Sequence, residues 1–263
     1  MSGGHRTSDG VRLVRLSALV VARNEEARLA DCLSGLAFAD EIVVVLDRCT
    51  DGSKAIAGKF TDCIVEGAWE REGDRRNAGI ATCRGRWILE IDADERVPDP
   101  LADEICNLIE RTDFDIFDVR VDNYVGGQLV RHGWMAAIGT IAAPRLFRKG
   151  VKRWGPERVH PHLRVEGRQG PRLGNAIVHL AANNISDLLL RLDRNTTWRA
   201  RDLAERGEIG SFPDMVRKIF SRFWKCYVLR KGYREDGLGF VIALCAALYP
   251  VIAHLKARLE SAE

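Results

Sequence analysis

The stretch Arg86-Trp-Ile-Leu-Glu-Ile-Asp-Ala-Asp-Glu95 is an apolar run that ends in three carboxylates. A run of this length reads as a buried strand of a parallel sheet. Asp92, Asp94 and Glu95 then lie at its carboxyl end, where open α/β sheets take their ligands. Three carboxylates so close together repel one another unless a cation sits among them. Hard oxygen donors beside a phosphate-binding edge suit Mg²⁺ or Mn²⁺, which prefer a few carboxylates plus substrate phosphates to an all-protein cage. The plainer alternative is a solvated turn leading into a helix capped at Pro98-Asp-Pro100, and an Asp-x-Asp alone does not choose between the two.

Upstream, Leu16-Ser-Ala-Leu-Val-Val-Ala22 is a short apolar run, followed by Arg23-Asn24-Glu25-Glu26 and by Leu29, Cys32, Leu33 and Leu36 at helical spacing. That is strand, loop, helix. Glu41-Ile-Val-Val-Val-Leu-Asp47 repeats the theme and runs through Asp51-Gly52-Ser53 into a helix over Ala55–Phe60. Cys63-Ile-Val-Glu66 is a weaker third strand, and a polar helix around Asp74–Thr82 carries Arg75-Arg76-Asn77. Strands alternating with helices imply right-handed crossovers and a mostly parallel α/β sheet. The first, second and fourth strands all end in polar or acidic residues, which places Asn24/Glu25, Asp47 and Asp92/Asp94 along one edge. No G-x-G-x-x-G follows the first strand and no P-loop occurs, so a metal and basic side chains must neutralise any phosphate bound there.

Downstream, the pattern predicts a helix over Leu101–Ile109, a strand over Phe114–Asn123 and a turn at Gly126-Gly127. His132-Gly-Trp134, Pro144-Arg-Leu-Phe-Arg148 and Trp154 to His162 form an irregular, basic and aromatic region of the kind that carries substrate contacts. From Ile185 the chain reads as helical, with Leu188, Leu189 and Leu192 marking one stripe and Met215, Ile219 and Phe223 another. The expected division is therefore a catalytic α/β domain over 1–183 and a helical appendage over 184–263.

With 263 residues, 46% apolar and 29% charged, the chain is long enough to bury a sizeable core. Its seven cysteines (32, 49, 63, 83, 106, 226 and 245) are scattered and include no C-x-x-C pair. They fit structural thiols in a reducing compartment, and the start has no apolar signal segment. The net charge of +3 conceals polarity: Arg145 to Arg234 holds 21 Lys/Arg against 8 Asp/Glu, +13, and the remainder carries −10. Such a bias points to an anionic partner, either a phosphorylated substrate or an acidic lipid surface; no nucleic-acid-binding motif is present. Leu238 to Ala253 contains no charged residue, but sixteen residues interrupted by Pro250 are short of a bilayer span. Because basic and aromatic residues precede it, a helix dipping into one leaflet is expected, with a core helix as the alternative.

Taken in order, Ala22-Arg-Asn-Glu-Glu26, Cys32-Leu33, Ala39 to Val45, Asp47 with Thr50-Asp51, Arg76-Asn77, Trp87 to Glu95 and Arg145-Leu-Phe-Arg148 resemble family-two glycosyltransferases of the GT-A fold. More narrowly, the chain resembles the bacterial group that includes lipopolysaccharide core β-1,4-glucosyltransferases, with His132-Gly-Trp134 and Val159-His160 also matching. The resemblance implies that Ala22, Arg23, Asn24, Glu25 and Asp47 hold a nucleotide, with uridine diphosphate the expected carrier of the sugar. It implies that Asp92 and Asp94 form the family's Asp-x-Asp, Asp94 holding the metal directly and Asp92 lying nearer the ribose. Arg76, and with it Arg145 or Arg148, would assist the leaving diphosphate. It further implies a lipid-linked or phosphorylated saccharide acceptor and a cytoplasmic protein peripheral on the inner face of the bacterial inner membrane.

An inverting transfer needs one base for the acceptor hydroxyl. Relatives commonly read Val-His-Glu where this chain reads Val159-His160-Pro161, so the expected carboxylate is missing, and Glu157, His160 or His162 must replace it. Met135 to Gly139 also departs from the relatives. Two other classes stay open: a haloacid-dehalogenase-like phosphohydrolase, for which a strand ending Asp-Ala-Asp serves as nucleophile motif but normally stands first in the sheet, and a catalytically silent nucleotide-sugar-binding protein.

Overall fold

The computed structural model describes residues 13–135, 139–157 and 162–259. Its elements run β1 (Leu16–Ala22), α1 (Glu26–Ser34), β2 (Glu41–Asp47), α2 (Ser53–Ala57), β3 (Ile64–Gly67), α3 (Glu72–Thr82), β4 (Trp87–Asp92), β5 (Glu95–Arg96), α4 (Asp99–Ile109) and β6 (Ile116–Val125). They continue with β7 (Gln128–Val130), β8 (Ala142–Arg148), β9 (Lys152–Trp154), β10 (Leu163–Val165), β11 (Ala176–Ala182), α5 (Ile185–Arg206), α6 (Phe212–Trp224) and α7 (Asp236–Leu259).

By its internal contacts the chain divides into two compact units. The first takes the described residues through Arg120 together with Ala142–Pro156 and His162–Ile177. Its strands are ordered β3-β2-β1-β4-β8-β6; the first four are parallel, and β8 runs antiparallel to both β4 and β6. Burial follows the pleat. Ala18, Val20, Ala22, Leu89 and Ile91 pack on one face with Leu29, Leu33, Leu101 and Ile105, while Leu19, Val21, Val45 and Ile88 pack on the other with Ile80 and Cys83. A strand covered on both faces needs apolar residues at every position, which is why these runs carry no period of two. Helix α3 approaches its face closely because Gly79 has no side chain: a Cβ there would lie 2.4 Å from Leu19 Cδ1 and 2.7 Å from Val45 Cγ2.

The second unit holds Val121–Ile141, Glu157 and the chain from Val178 onward. This division departs from the boundary expected at 183/184, because a β-hairpin and the His132-Gly-Trp134 segment pack with the helices. Trp134 is buried with Val125, Val130, Leu188, Cys226, Ile242 and Tyr249. The reason lies in one carboxylate: Glu235 accepts hydrogen bonds from the backbone N–H groups of Arg131 and His132, both at 3.0 Å, and lies 2.6 Å from His132 Nδ1. Gly133, at φ 81°, sits where a Cβ would meet Gly232 Cα at 3.0 Å. The His-Gly-Trp motif, expected among substrate contacts, thus serves as a latch inside the helical unit.

Helix α5 opens at Asn184, whose Oδ1 accepts from Asp187 N at 2.9 Å, and closes at Gly207 in the left-handed conformation. Helix α7 is continuous through Pro250, which was expected to interrupt it. It contributes Ile242, Ala243, Ala246 and Tyr249 to the core, so one face is a core face. Gly79→Val should destabilise the protein by roughly 1–3 kcal/mol through overpacking, read as a lower urea midpoint at unchanged m-value.

Candidate active site

The parallel register brings the carboxyl ends of three strands together. Leu46 pairs with Ala22, and Asp92 pairs with Val21, so Asp47 and Asp92 flank the end of β1. The order β3-β2-β1-β4 reverses direction between β1 and β4, and the crevice beyond such a reversal is where doubly wound sheets bind ligands.

The loops after β1 and β2 are laced to each other. Asn24, at φ 54°, accepts from Thr50 N at 2.8 Å; Glu25 N donates to Ser53 Oγ at 3.0 Å. Glu26 N donates to Asp51 Oδ2 at 3.0 Å, and Gly52 N donates to Glu26 Oε2 at 2.7 Å. Asn is one of the few residues that tolerate a left-handed backbone, and its short amide here replaces a backbone partner. Ala22 is buried, Arg23 and Asn24 are exposed and Glu25 is half-buried at this edge. Asp47 is only 2% exposed, its Oδ1 accepting from Trp69 N at 3.1 Å and its Oδ2 from Arg75 Nη1 at 3.3 Å.

Around Asp92 the expected cation is supplied by the protein. Asp92 Oδ1 accepts from Arg76 Nη2 and Asp92 Oδ2 from Arg145 Nη2, both at 2.8 Å. Arg145 Nη2 also reaches Glu95 Oε1 at 2.6 Å, while Glu95 Oε2 accepts from Asp92 N at 2.8 Å. Behind them Glu90, fully buried, takes Arg76 Nη1 at 2.5 Å, Lys152 Nζ at 2.7 Å and Trp154 Nε1 at 3.2 Å. Arg76 closes the circuit on Glu72 Oε1 at 2.8 Å. Among the described residues, these ion pairs join four carboxylates to three cations. Burial works to raise the Glu90 carboxyl, but Lys152, Arg76 and Arg145 overcome it and hold it at about 2. Arg145 and Arg76 likewise hold Asp92 well below the usual carboxylate range against its burial.

These contacts redistribute the expected roles. Arg76 is a buried member of the floor, stacked on Trp154 at 5.2 Å, and Asn77 beside it pins β9 through paired bonds to the Trp154 backbone at 2.9 and 3.0 Å. Arg148 pairs across from Trp87, at the end of β4 opposite Asp92, where it binds Thr112 O, Phe114 O and Asp115. Glu157 groups with the second unit, buried, with Oε1 accepting from Arg206 Nη2 at 3.2 Å. His160 lies outside the described residues; His162 is exposed in the first unit, its carbonyl accepting from Gly155 N at 2.7 Å.

The sequence carries no sign of Glu90 or Lys152 as members of this circuit, and it offers Arg75 only within the run Arg75-Arg76-Asn77. Glu90 was read as part of an apolar run, and Lys152 as one cation among many. Arg75 Nε and Arg145 Nε are buried without an acceptor among the described residues.

A divalent ion at this edge would have to draw on the carboxylates beside Asp92. Among the described residues no group of three or more His, Cys, Asp or Glu side chains is arranged to hold a metal by itself. Asp92 has both oxygens engaged with arginines, and Asp94 lies half-buried in the turn between β4 and β5. One carboxylate completed by diphosphate oxygens is a donor set that Mg²⁺ and Mn²⁺ accept.

Residues 17–161 match the model of "Glycosyl transferase family 2". The chain is 25% identical over 255 residues to the lipopolysaccharide core biosynthesis glycosyltransferase LpsC of Rhizobium meliloti, covering 92% of this chain and 91% of that one. It is 33% identical over 261 residues to an uncharacterized glycosyltransferase of Rickettsia bellii, covering 93% and 86%. Among solved structures, S. aureus TarS 1-349 in complex with UDP aligns at a TM-score of 0.49 with 13% identity, over 94% of this chain and 92% of that one.

Breaking the buried circuit should be expensive. Lys152→Ala, which strips Glu90 of one partner, is expected to lower stability by roughly 3–5 kcal/mol, and Glu90→Gln with Lys152→Met should recover much of that loss. Because Glu90 is held below its ordinary value of 4.5, its contribution is present above about pH 4.5 and is lost as pH falls toward about 2. The stability gap between wild type and Glu90→Gln, measured by urea unfolding across pH, should therefore narrow through that window.

Proposed function

The chain belongs to glycosyl transferase family 2, and from that premise we propose an inverting, metal-dependent transferase that moves a sugar from a nucleoside diphosphate carrier, a uridine diphosphate sugar, to a lipid-linked saccharide of the lipopolysaccharide-core type. Its core is of the GT-A type, a mostly parallel sheet flanked by helices with a helical C-terminal appendage. Family membership replaces the phosphohydrolase reading, and the Asp-x-Asp strand stands fourth along the chain, where that reading would have it first. The observation that carries the proposal is the meeting of Asn24/Glu25, Asp47 and Asp92/Asp94 at the reversal point of the sheet.

Ala22 to Glu25 and Asp47 receive the nucleotide, Asp47 near the base and Asp92 near the ribose. Exchange of the Arg75 contact for a ligand contact frees Asp47 to accept from the base, and oxygen-rich phosphates supply acceptors for the orphaned N–H groups of Arg75 and Arg145. Asp94 holds the divalent ion, which supplies charge stabilisation to the departing diphosphate worth several kcal/mol. Asp92, fixed between Arg76 and Arg145, keeps the turn that presents Asp94 in one conformation. The general base comes from the Glu157–His162 segment, with Glu157 and His160 the two candidates. The LpsC relationship supports a lipid-linked acceptor, and a protein acting on such an acceptor would work at the cytoplasmic face of a membrane. The basic stretch from Arg145 to Arg234 suits that surface and a phosphorylated acceptor, and no nucleic acid is involved.

Asp94→Ala should abolish sugar transfer while leaving the melting temperature of the ligand-free protein unchanged; undiminished transfer sinks the metal role. A screen of nucleotide sugars with Mg²⁺ or Mn²⁺ should raise the melting temperature for the true donor by mass action. Tight donor binding without turnover, over a range of acceptors, would instead mark a silent binding protein. Glu157→Gln and His160→Ala then divide the base: the correct one lowers kcat by about a hundredfold or more with little change in donor affinity.

A further inference from the structure

Helix α7 has a second face that the unit's own core leaves uncovered. Phe240, Leu244, Leu248 and Leu255, at spacings of four, four and seven, are all exposed, and no charged residue occurs from Gly237 through Leu255. A helix of 24 residues carrying such a stripe is about 36 Å long. The stripe joins a second apolar patch. Phe240 stands edge-on to Phe223 at 5.6 Å and to Tyr227 at 5.7 Å. Nearby in the chain, Phe220 and Trp224 of α6 are 73% and 58% exposed. Exposed apolar side chains on two elements of one unit mark an interaction surface. The same stretch is strongly cationic: Met215 to Arg234 holds seven Lys/Arg and no Asp/Glu.

We propose that α6 and α7 dock in the plane of an anionic lipid bilayer, with the α7 stripe and the α6 aromatic residues inserted to shallow depth and the cations at the headgroups. This rests on the membrane placement in the proposed function and assigns it to a surface. Apolar area beside a basic, aromatic-rich segment is the composition of in-plane membrane elements. Two other occupants fit less well. A transmembrane position would expose all sides of α7 to lipid, yet 56% of its apolar window is buried in the protein's own fold, with Tyr249 and His254 on that buried side. A second copy meeting this face about a two-fold axis would bring two sets of seven cations together.

The test uses the full-length protein and sedimentation with phosphatidylcholine vesicles with and without phosphatidylglycerol. The expected result is binding only to the phosphatidylglycerol vesicles, reversed by high salt or alkaline carbonate. Leu244→Ser with Leu248→Ser should abolish it at unchanged melting temperature. Arg217→Glu with Lys225→Glu should weaken it by at least about twenty-five-fold, since each cation near such a surface contributes about fivefold. The proposal is overturned if the wild type ignores phosphatidylglycerol vesicles, if binding survives both variants, if the protein resists carbonate, or if the serine variant converts a dimer to a monomer. Donor binding measured in vesicle-free solution separates the two ideas: its absence sinks the transferase reading and leaves the docking surface standing.

Discussion

The site depends on the neutralisation of buried charge beneath the end of β4. Glu90 and Asp92 alternate with Leu89 and Ile91, so a strand clad in apolar residues on one face presents two carboxylates on the other. A carboxylate taken out of water costs several kcal/mol unless it is paired and hydrogen-bonded. Arg76 from α3, Arg145 from β8 and Lys152 from β9 supply that pairing, and each is set in place by the element that carries it. The circuit therefore ties helix α3 and the two later strands to β4 through side chains as well.

That dependence explains what the sequence could and could not disclose. The strands were legible because residues buried on both faces must be apolar throughout, and β1, β2 and β4 fall within a residue of their expected bounds. The edge carboxylates were legible because they interrupt those runs. Glu90 was not, since one acid inside an apolar run carries no sign of which cations it will meet. Its partners arrive from fourteen and sixty-two residues away, on α3 and β9, and pairing at that separation is set by the tertiary fold. Arg76 stands out in the sequence beside Asn77, but the helical spacing that puts Gly73, Arg76, Gly79 and Ile80 on the buried side of α3 makes it part of the floor.

The helical unit gives a contrasting case. Its charge-free segment leaves a core helix and a lipid-facing helix as alternatives, and α7 has one face buried in the core and another that is exposed. Composition counts residues without regard to face; it is the alternation of small residues such as Ala243, Ala246 and Ala247 with Leu244 and Leu248 that separates them. Likewise His132-Gly133-Trp134 reads by residue type as part of a substrate-contact region, whereas Glu235, about a hundred residues later, makes it an anchoring point.

The lacing of the loops after β1 and β2 has a thermodynamic consequence for any ligand that binds at their edge. Asn24, Glu25 and Glu26 already hold Thr50, Gly52 and Ser53 through side-chain and backbone hydrogen bonds, and Asn24 and Arg48 already occupy left-handed conformations. The conformational entropy of arranging these loops is surrendered during folding, so little of a ligand's interaction energy goes into ordering them. Such an edge can take up and release a ligand without being rebuilt each time, because its loops hold one another in the ligand-free protein.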